Sequence, residues 1–285
     1  MTSAQSGKAL PLQGRVALVT GASRGIGAGI AKRFACEGAV VAVAARSVDH
    51  AAQGVLPGTL RETVADIEAA GGDASPYQVD LSSPESRAAL IDRVVADLGP
   101  VDILVNNAAT ATFMPFTDIS EKRLRLITTL NYFAPFDLCQ RVIPAMKERG
   151  RGWVLNISSL AGEIPSTPPP DPTYHMQGTA YGSSKAALNR LSEALASEFY
   201  ADSIVVNALL PAKAVLTEGV KATISQDLVT AEGVLEPVEA MAEAALALCT
   251  GDRDGLNGGV HKSLSLLEQL GRPIRTLDGG ALLTL

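Results

Sequence analysis

From residue 15 onward the chain alternates two hydrophobic patterns. Arg15 to Thr20 and Val40 to Ala45 are apolar runs without polar alternation, as expected of parallel strands covered on both faces. Between them Ile26, Ile30 and Phe34 recur every fourth residue up to Gly38, the spacing of one helix face. The series continues with helix Thr59 to Ala70, strand Ala74 to Val79, helix Pro84 to Leu98 and strand Val101 to Asn106. Ile91, Val94, Val95 and Leu98 are the expected inner stripe of the helix opened by Pro84, a residue suited to a first turn. Ser120 to Arg149 is helical in pattern, and Pro135 and Pro144, which bring no backbone donor, are expected to bend or break it. Strand Trp153 to Ile157 follows, then helix Ala180 to Tyr200 with the stripe Leu188, Leu191, Leu195 and Phe199. Strand Ile204 to Ala208, helix Pro237 to Cys249 and strand Val260 to Ser263 precede a less regular tail.

Six or seven strand–helix alternations without a break in composition predict one α/β domain, a Rossmann-like doubly wound parallel sheet of about seven strands over residues 15–263. Residues 1–14 read as a polar leader, and 264–285 as a tail packing on the domain or on a neighbouring subunit. Function is expected at the carboxyl ends of the strands. Residues 164–178 break the rhythm with Pro165, Pro168, Pro169, Pro170 and Pro172, and read as an active-site loop or lid lined by Tyr174, His175 and Met176.

Composition narrows the function. Of 285 residues, 47% are hydrophobic and 19% charged, which describes a globular chain. Lys and Arg number 24 against 30 Asp and Glu, and a net charge of −6 offers no field for a phosphate backbone, so no nucleic acid partner is expected. No apolar run approaches the roughly 18 residues of a membrane span, and Met1 to Gly14 has no apolar signal core, so the expected location is the cytoplasm. Cys36, Cys139 and Cys249 lie too far apart for a disulfide framework or a metal motif and read as reduced core residues. The sequon Asn156-Ile157-Ser158 falls in a strand expected to be buried and is attributed to chance.

Thr20-Gly21-Ala22-Ser23-Arg24-Gly25-Ile26-Gly27 joins the first strand to the first helix. Its glycines permit a tight turn and the approach of a pyrophosphate to the helix amino end, where N–H groups and the helix dipole favour an anion. A carboxylate closing the second strand binds the ribose 2′-hydroxyl of NAD, whereas a cation accommodates the 2′-phosphate of NADP. Here that strand ends Ala44-Ala45-Arg46-Ser47, and Arg46 with Arg24 is placed to meet a dianionic phosphate, so NADP(H) is the expected cofactor.

Tyr181-Gly182-Ser183-Ser184-Lys185 sets a phenol and an ammonium four apart on one helix face. A tyrosine ordinarily titrates near ~10, so acid/base work at neutral pH asks for about 4 kcal/mol from Lys185 and a cationic nicotinamide ring. Ser158-Ser159 closes the strand before it and offers a hydroxyl to a substrate carbonyl as charge develops there. No Gly-x-Ser-x-Gly elbow surrounds either serine, and His50, His175 and His261 stand outside any motif, which speaks against a hydrolase triad.

In this order the motifs resemble the short-chain dehydrogenase/reductase family, over Leu12 to Val260. Thr20 through Gly27 match its Thr-Gly-x-x-x-Gly-x-Gly pattern, Asp80 its acidic residue near the adenine, and Asn106-Asn107-Ala108-Ala109 its Asn-Asn-Ala-Gly motif. Asn131 in a Leu-Asn-Tyr context, Ser159, Tyr181 and Lys185 match its catalytic residues. The resemblance implies cofactor contacts by Gly21, Ser23, Arg24, Gly25, Ile26, Gly27, Arg46, Asp80, Leu81, Asn107, Ala108, Tyr181, Lys185, Pro211 and Thr217, and no metal. It implies hydride transfer between a nicotinamide and a carbonyl or secondary alcohol. Tyr181 is then the acid/base, Ser159 orients the carbonyl, Lys185 binds the nicotinamide ribose and depresses the Tyr181 pKa, and Asn131 holds water in a proton relay.

The chain departs from the family at three places. Ala109 and Ala212 stand where glycines are usual, the spacing from Pro211 to Thr217 is longer by about one residue, and Tyr181 follows Ser159 by 22 positions because the proline-rich segment intervenes. Tyr174 lies nearer the usual distance but has Gly178, not a lysine, four residues on. The function expected is an NADP(H)-dependent carbonyl (ketone) reductase or alcohol dehydrogenase acting on a hydrophobic or cyclic ketone. Alternatives are a 3-oxoacyl thioester reductase, a catalytically silent NADP-binding or regulatory protein, and a related epimerase or dehydratase. The resemblance also implies a homo-oligomer, a tetramer or dimer formed through the Ser120 to Arg149 and Ala180 to Tyr200 helices.

Overall fold

The computed structural model describes residues 10–49, 57–163, 178–215, 217, 235–251 and 253–283. Seven parallel strands form one sheet: β1 (Val16–Thr20), β2 (Val40–Ala45), β3 (Asp73–Gln78), β4 (Ile103–Asn106), β5 (Gly152–Ile157), β6 (Ile204–Leu210) and β9 (Val260–Lys262), in the order β3-β2-β1-β4-β5-β6-β9. The central strands are buried along their whole length, which is why they read as uninterrupted apolar runs. Edge strand β3 is more exposed, burying Ala74 on one face of the sheet and Tyr77 on the other. A short pair, β7 (Ala214–Val215) and β8 (Leu235–Glu236), lies outside the sheet and was not foreseen.

Helices cover both faces. α1 (Gly25–Cys36), α2 (Leu60–Ala69) and α7 (Val238–Thr250) bury Ile30, Phe34, Ile67 and Leu246 against one face. α3 (Pro84–Leu98), α5 (Ala134–Glu148) and the inner side of α6 (Thr179–Glu198) bury Leu90, Val94, Leu138, Val142 and Ala196 against the other. Strand order reverses between β1 and β4, so the crevice of this fold lies beyond Thr20 and Asn106.

Four details differ from the sequence expectations. In α3 the buried residues are Arg87, Leu90, Ile91 and Val94, a three-four stripe, while Val95, one step around the helix, is 44% exposed. The predicted Ser120 to Arg149 helix divides into α4 (Glu121–Thr128), a π-helical turn (Thr129–Phe133) and α5, so the irregularity precedes Pro135, while Pro144 sits inside α5. Cys139 and Cys249 are buried, but Cys36 is partly exposed, its thiol 2.7 Å from the Asp278 carbonyl. The tail opens with helix α8 (Ser263–Gln269), and Ile274, Leu277 and Leu283 pack on the α1 side of the core. Its attachment is also ionic: buried Arg33 pairs with Glu243 at 2.9 Å, and Glu243 with Arg272 at 2.6 Å.

Apart from Gly178, the proline-rich segment lies outside the described residues, as do residues 1–9 of the leader and His50. Among the described residues no helix is long and apolar enough to cross a membrane.

Candidate active site

Gly21, Gly25 and the strand ends around them form one wall of the crevice. Gly21 has φ +66, and a Cβ there would stand 2.8 Å from the Asn107 amide nitrogen, so the turn needs glycine for backbone shape and for space. The Asn107 side chain donates to the carbonyls of Thr20 (2.9 Å) and Gly21 (3.2 Å). The Thr20 hydroxyl accepts the amides of Asn107 and Ala108 at 3.0 and 3.2 Å, tying β1 to the segment after β4. Above Gly25 sits the Thr217 methyl, 3.0 Å from where a Cβ would be.

The amino end of α1 differs from its neighbours. α2 begins with a reciprocal capping box of Thr59 and Glu62, and α3 with the Ser83 hydroxyl accepting the Ser86 amide. α1 begins at Arg24 with no side-chain cap and no acidic residue in its first turn, so its N–H groups and positive dipole end face the crevice. Ser23 is buried, whereas Arg24 is half-buried and donates to the Gly58 carbonyl at 3.2 Å. Arg46 is exposed, and its charge helps hold the Asp80 carboxyl below its usual range, after the larger contributions of the Ser82 hydroxyl and amide. Leu81 beside it is buried.

The second group of residues gathers at the carboxyl end of β5. The Ser159 hydroxyl lies near enough to the Tyr181 phenol, 22 positions on, to lower its pKa. Two glycines make this possible. The turn at Leu160–Gly162 lies directly on α6: a Cβ on Gly182 would collide with the Ala161 carbonyl, and one on Gly162 would stand 2.9 Å from the Lys185 backbone. Closure of the pair therefore depends on backbone packing local to Ser159 and α6.

Lys185 is 2% exposed, and its Nζ donates to the Ile157 carbonyl at 2.7 Å and lies 5.9 Å from the centre of the Tyr181 ring. Burial pulls its pKa down to about 8. Tyr181 departs from the sequence expectation: burial raises its pKa, opposed by the bond to Ser159. The protein alone thus favours the protonated phenol. Against the outer side of this phenol the Phe113 ring packs edge-on at 5.9 Å between centroids.

Asn131 is also placed differently from a water-holding side chain. It is fully buried in the π turn, where its oxygen accepts the Thr110 amide and its nitrogen donates to the Thr110 carbonyl and the Ser184 hydroxyl, all at 2.9 Å. The side chain is consumed in clamping the segment after β4 to α6. Beneath, Asn106 donates to Asn156 at 2.9 Å, Asn156 to Ser192 at 2.8 Å, and Ser192 to the Leu188 carbonyl, a buried chain fixing β4, β5 and α6 in register.

The model of the short chain dehydrogenase family matches residues 15–227. The chain belongs to this family of oxidoreductases. It is 34% identical over 257 residues to the 7alpha-hydroxysteroid dehydrogenase of Escherichia coli strain K12, covering 88% of this chain and 93% of that one. It is 39% identical over 203 residues to a short chain dehydrogenase of Pseudocercospora fijiensis, a match spanning 70% of this chain and 60% of that protein's length. Among solved structures, a 7 alpha-hydroxysteroid dehydrogenase complexed with NADH and 7-oxo glycochenodeoxycholic acid superposes with a TM-score of 0.78 at 33% identity, over 89% of this chain and 94% of the other. A metagenomic short-chain oxidoreductase in complex with NADP gives 0.71 at 31% identity, over 88% and 97%.

Within this short-chain dehydrogenase the two alanines at family glycine positions carry no strain, because Ser203 alone among described non-glycine residues has a positive φ. Ala109 is moreover exposed, so its methyl meets no tight wall. Sequence reasoning missed Gly162, Gly182, Ser184 and Phe113. The glycines were legible only through what they touch, while Phe113 carried a signal, an aromatic residue following the Asn-Asn-Ala segment.

Proposed function

We propose that this short-chain dehydrogenase is an NADP(H)-dependent reductase of hydrophobic or cyclic ketones, running in reverse as an alcohol dehydrogenase. The observation that carries the reading is Ser159 beside the Tyr181 phenol with buried Lys185 behind it, in a fold whose α1 has an uncapped amino end.

The crevice fits a dinucleotide. A helix end without a cap accepts a pyrophosphate, and the positive φ of Gly21 and Gly25 gives the tight turn that leads into it. Ser23, Arg24, Ile26 and Gly27 would line the pyrophosphate, Asp80 and Leu81 the adenine, Asn107 and Ala108 the ribose, and Pro211 and Thr217 the nicotinamide. Arg46 and Arg24 favour the 2′-phosphate of NADP(H), since no carboxylate closes β2. Bound there, the nicotinamide supplies or accepts the hydride at the carbonyl carbon.

The remaining steps belong to the chain. Ser159 and Tyr181 donate two hydrogen bonds to the carbonyl oxygen, and the Tyr181 proton moves to it as charge develops. Burial suits Tyr181 to this direction, because it keeps the phenol protonated until a substrate arrives. The Lys185 ammonium stabilises the phenolate left behind and, in the alcohol-oxidising direction, the phenolate that takes the proton. Asn131 sets the spacing of Thr110 and Ser184, and its backbone carbonyl holds the water that returns the proton. Leu124, Leu126, Phe133 and Phe136, exposed on α4, the π turn and α5, support a homo-oligomer joined there.

The test is NADPH oxidation by wild type and Tyr181→Phe across a ketone panel, with NADPH binding measured in parallel. Turnover lost in the variant with binding intact supports the reading. A variant near wild-type turnover sinks the role of Tyr181, and tight binding without turnover on any ketone favours a silent NADP-binding protein.

A further inference from the structure

Glu236 is 2% exposed and belongs to none of the motifs above, yet it is bonded to the turn that follows β6. Its Oε2 accepts the Ala212 amide at 3.2 Å, both its oxygens accept the Ser263 hydroxyl at 2.8 Å, and the Lys213 amide also donates to it. The backbone of Glu236 pairs with Val215 in the β7–β8 ladder, and the Thr217 amide donates to the Val215 carbonyl at 2.7 Å. The Thr217 methyl then closes over Gly25 in the turn before α1. A continuous path of direct contacts thus leads from one carboxylate to the phosphate end of the crevice.

We propose that Glu236 is a positioning residue for the dinucleotide, holding the turn at 211–213 and, through β7, Thr217 at the height the cofactor needs. The inference rests on the dinucleotide reading above and assigns a device to it. The chemistry of the donors explains the residue type. Two amides and a hydroxyl converge where strand β6 leaves the sheet, and an acceptor-only group with two oxygens satisfies all three. A buried carboxylate is costly unless so bonded, and an apolar replacement would take this acceptor from the Ser263 hydroxyl and the Lys213 amide and leave the Ala212 amide only the Ser263 oxygen, at 3.1 Å. Burial raises its pKa while Ser263, the two amides and the Lys213 charge oppose the rise. Ser263 opens α8, so the same carboxylate ties the C-terminal helix to the crevice.

The experiment measures equilibrium binding of NADPH and of NADH to wild type, Glu236→Gln, Glu236→Ala and Ser263→Ala, with circular dichroism and Tm as controls for folding. In Glu236→Ala the Kd for NADPH is expected to rise at least tenfold, and the KM for NADPH with it, while kcat at saturating cofactor changes far less. Glu236→Gln, which keeps one acceptor oxygen, recovers part of the loss, and Ser263→Ala shifts Kd in the same direction by less. Folded variants that bind as tightly as wild type overturn this inference alone. So does a lowered Tm with Kd unchanged, which is a purely structural role. Wild type that binds neither nucleotide overturns the dinucleotide reading and this inference with it.

Discussion

Gly182 on α6 lies so close to the Ala161 carbonyl that the added methyl of an alanine has no room between them. This approach brings the Ser159 turn onto the helix that carries Tyr181. Gly182→Ala is expected to keep the fold and the NADPH affinity but to push the turn outward, separating the two hydroxyls. A misplacement of about 1 Å at reacting groups can cost about 100-fold in rate. Steady-state kcat beside NADPH titration checks this, and unchanged kcat would show that the pair does not depend on the approach.

Lys185 trades stability for chemistry. Its pKa falls from 10.5 to about 8 on burial, an opposing contribution of about 3 kcal/mol at neutral pH, where folded and unfolded chains both carry the proton. Lys185→Met removes this penalty and leaves the Ile157 carbonyl unpaired at a cost of about 1 kcal/mol, so the variant gains about 2 kcal/mol at pH 7 while losing turnover. Between pH 8 and 10.5 the folded wild type releases the proton before the unfolded chain does, so its stability rises relative to the variant and the gap closes. Urea titrations of both proteins at pH 7 and pH 10 test the sign.

Phe113 is 47% exposed while its edge rests on the Tyr181 ring, so it is half wall and half open surface. Phe113→Ala removes apolar area beside the incoming carbonyl without opening the core. At roughly 25 cal/mol per Å² of apolar surface, losing about 60 Å² of contact costs about 1.5 kcal/mol. The kcat/KM for bulky cyclic ketones should fall about tenfold while small polar ketones are little affected. Equal effects on both classes would place the substrate elsewhere.

Arg46 is the exposed cation at the end of β2. If it meets the 2′-phosphate, Arg46→Ala loses a charge-assisted hydrogen bond of about 1.5 to 3 kcal/mol, raising the Kd for NADPH about 10- to 100-fold and leaving NADH unaffected. Binding of the two cofactors by fluorescence, compared at low and high salt, separates this from general loss of affinity.

The strands were legible because a parallel strand covered on both faces writes itself as an unbroken apolar run, as in β2 and β6. The crevice was legible because the glycine turn and the serine fall at strand ends, and Tyr-x-x-x-Lys on the helix that follows, in the order of the family's motifs. What escaped depends on partners remote in sequence. Asn131 was legible as a candidate residue, but not that Thr110 and Ser184, 21 and 53 positions away, use up its amide. Val95 read as core because its neighbour Val94 is core, and one residue of a helix turns the side chain about 100°. The raised pKa of Tyr181 follows from burial, which no local pattern carries, while the Lys185 ammonium sits 5.9 Å from the ring centre. Glu236 drew no notice at all, since Ala212 and Ser263 lie 24 and 27 positions from it.

The turn that seats Ser159 ends at Gly162, and the helix that carries Tyr181 opens just after Gly178. Both are locked together below these points, so the number of residues threaded between them is free to vary without moving the proton donor. Selection, or an engineer, can then lengthen or shorten the sequence between them and still find the serine beside the tyrosine.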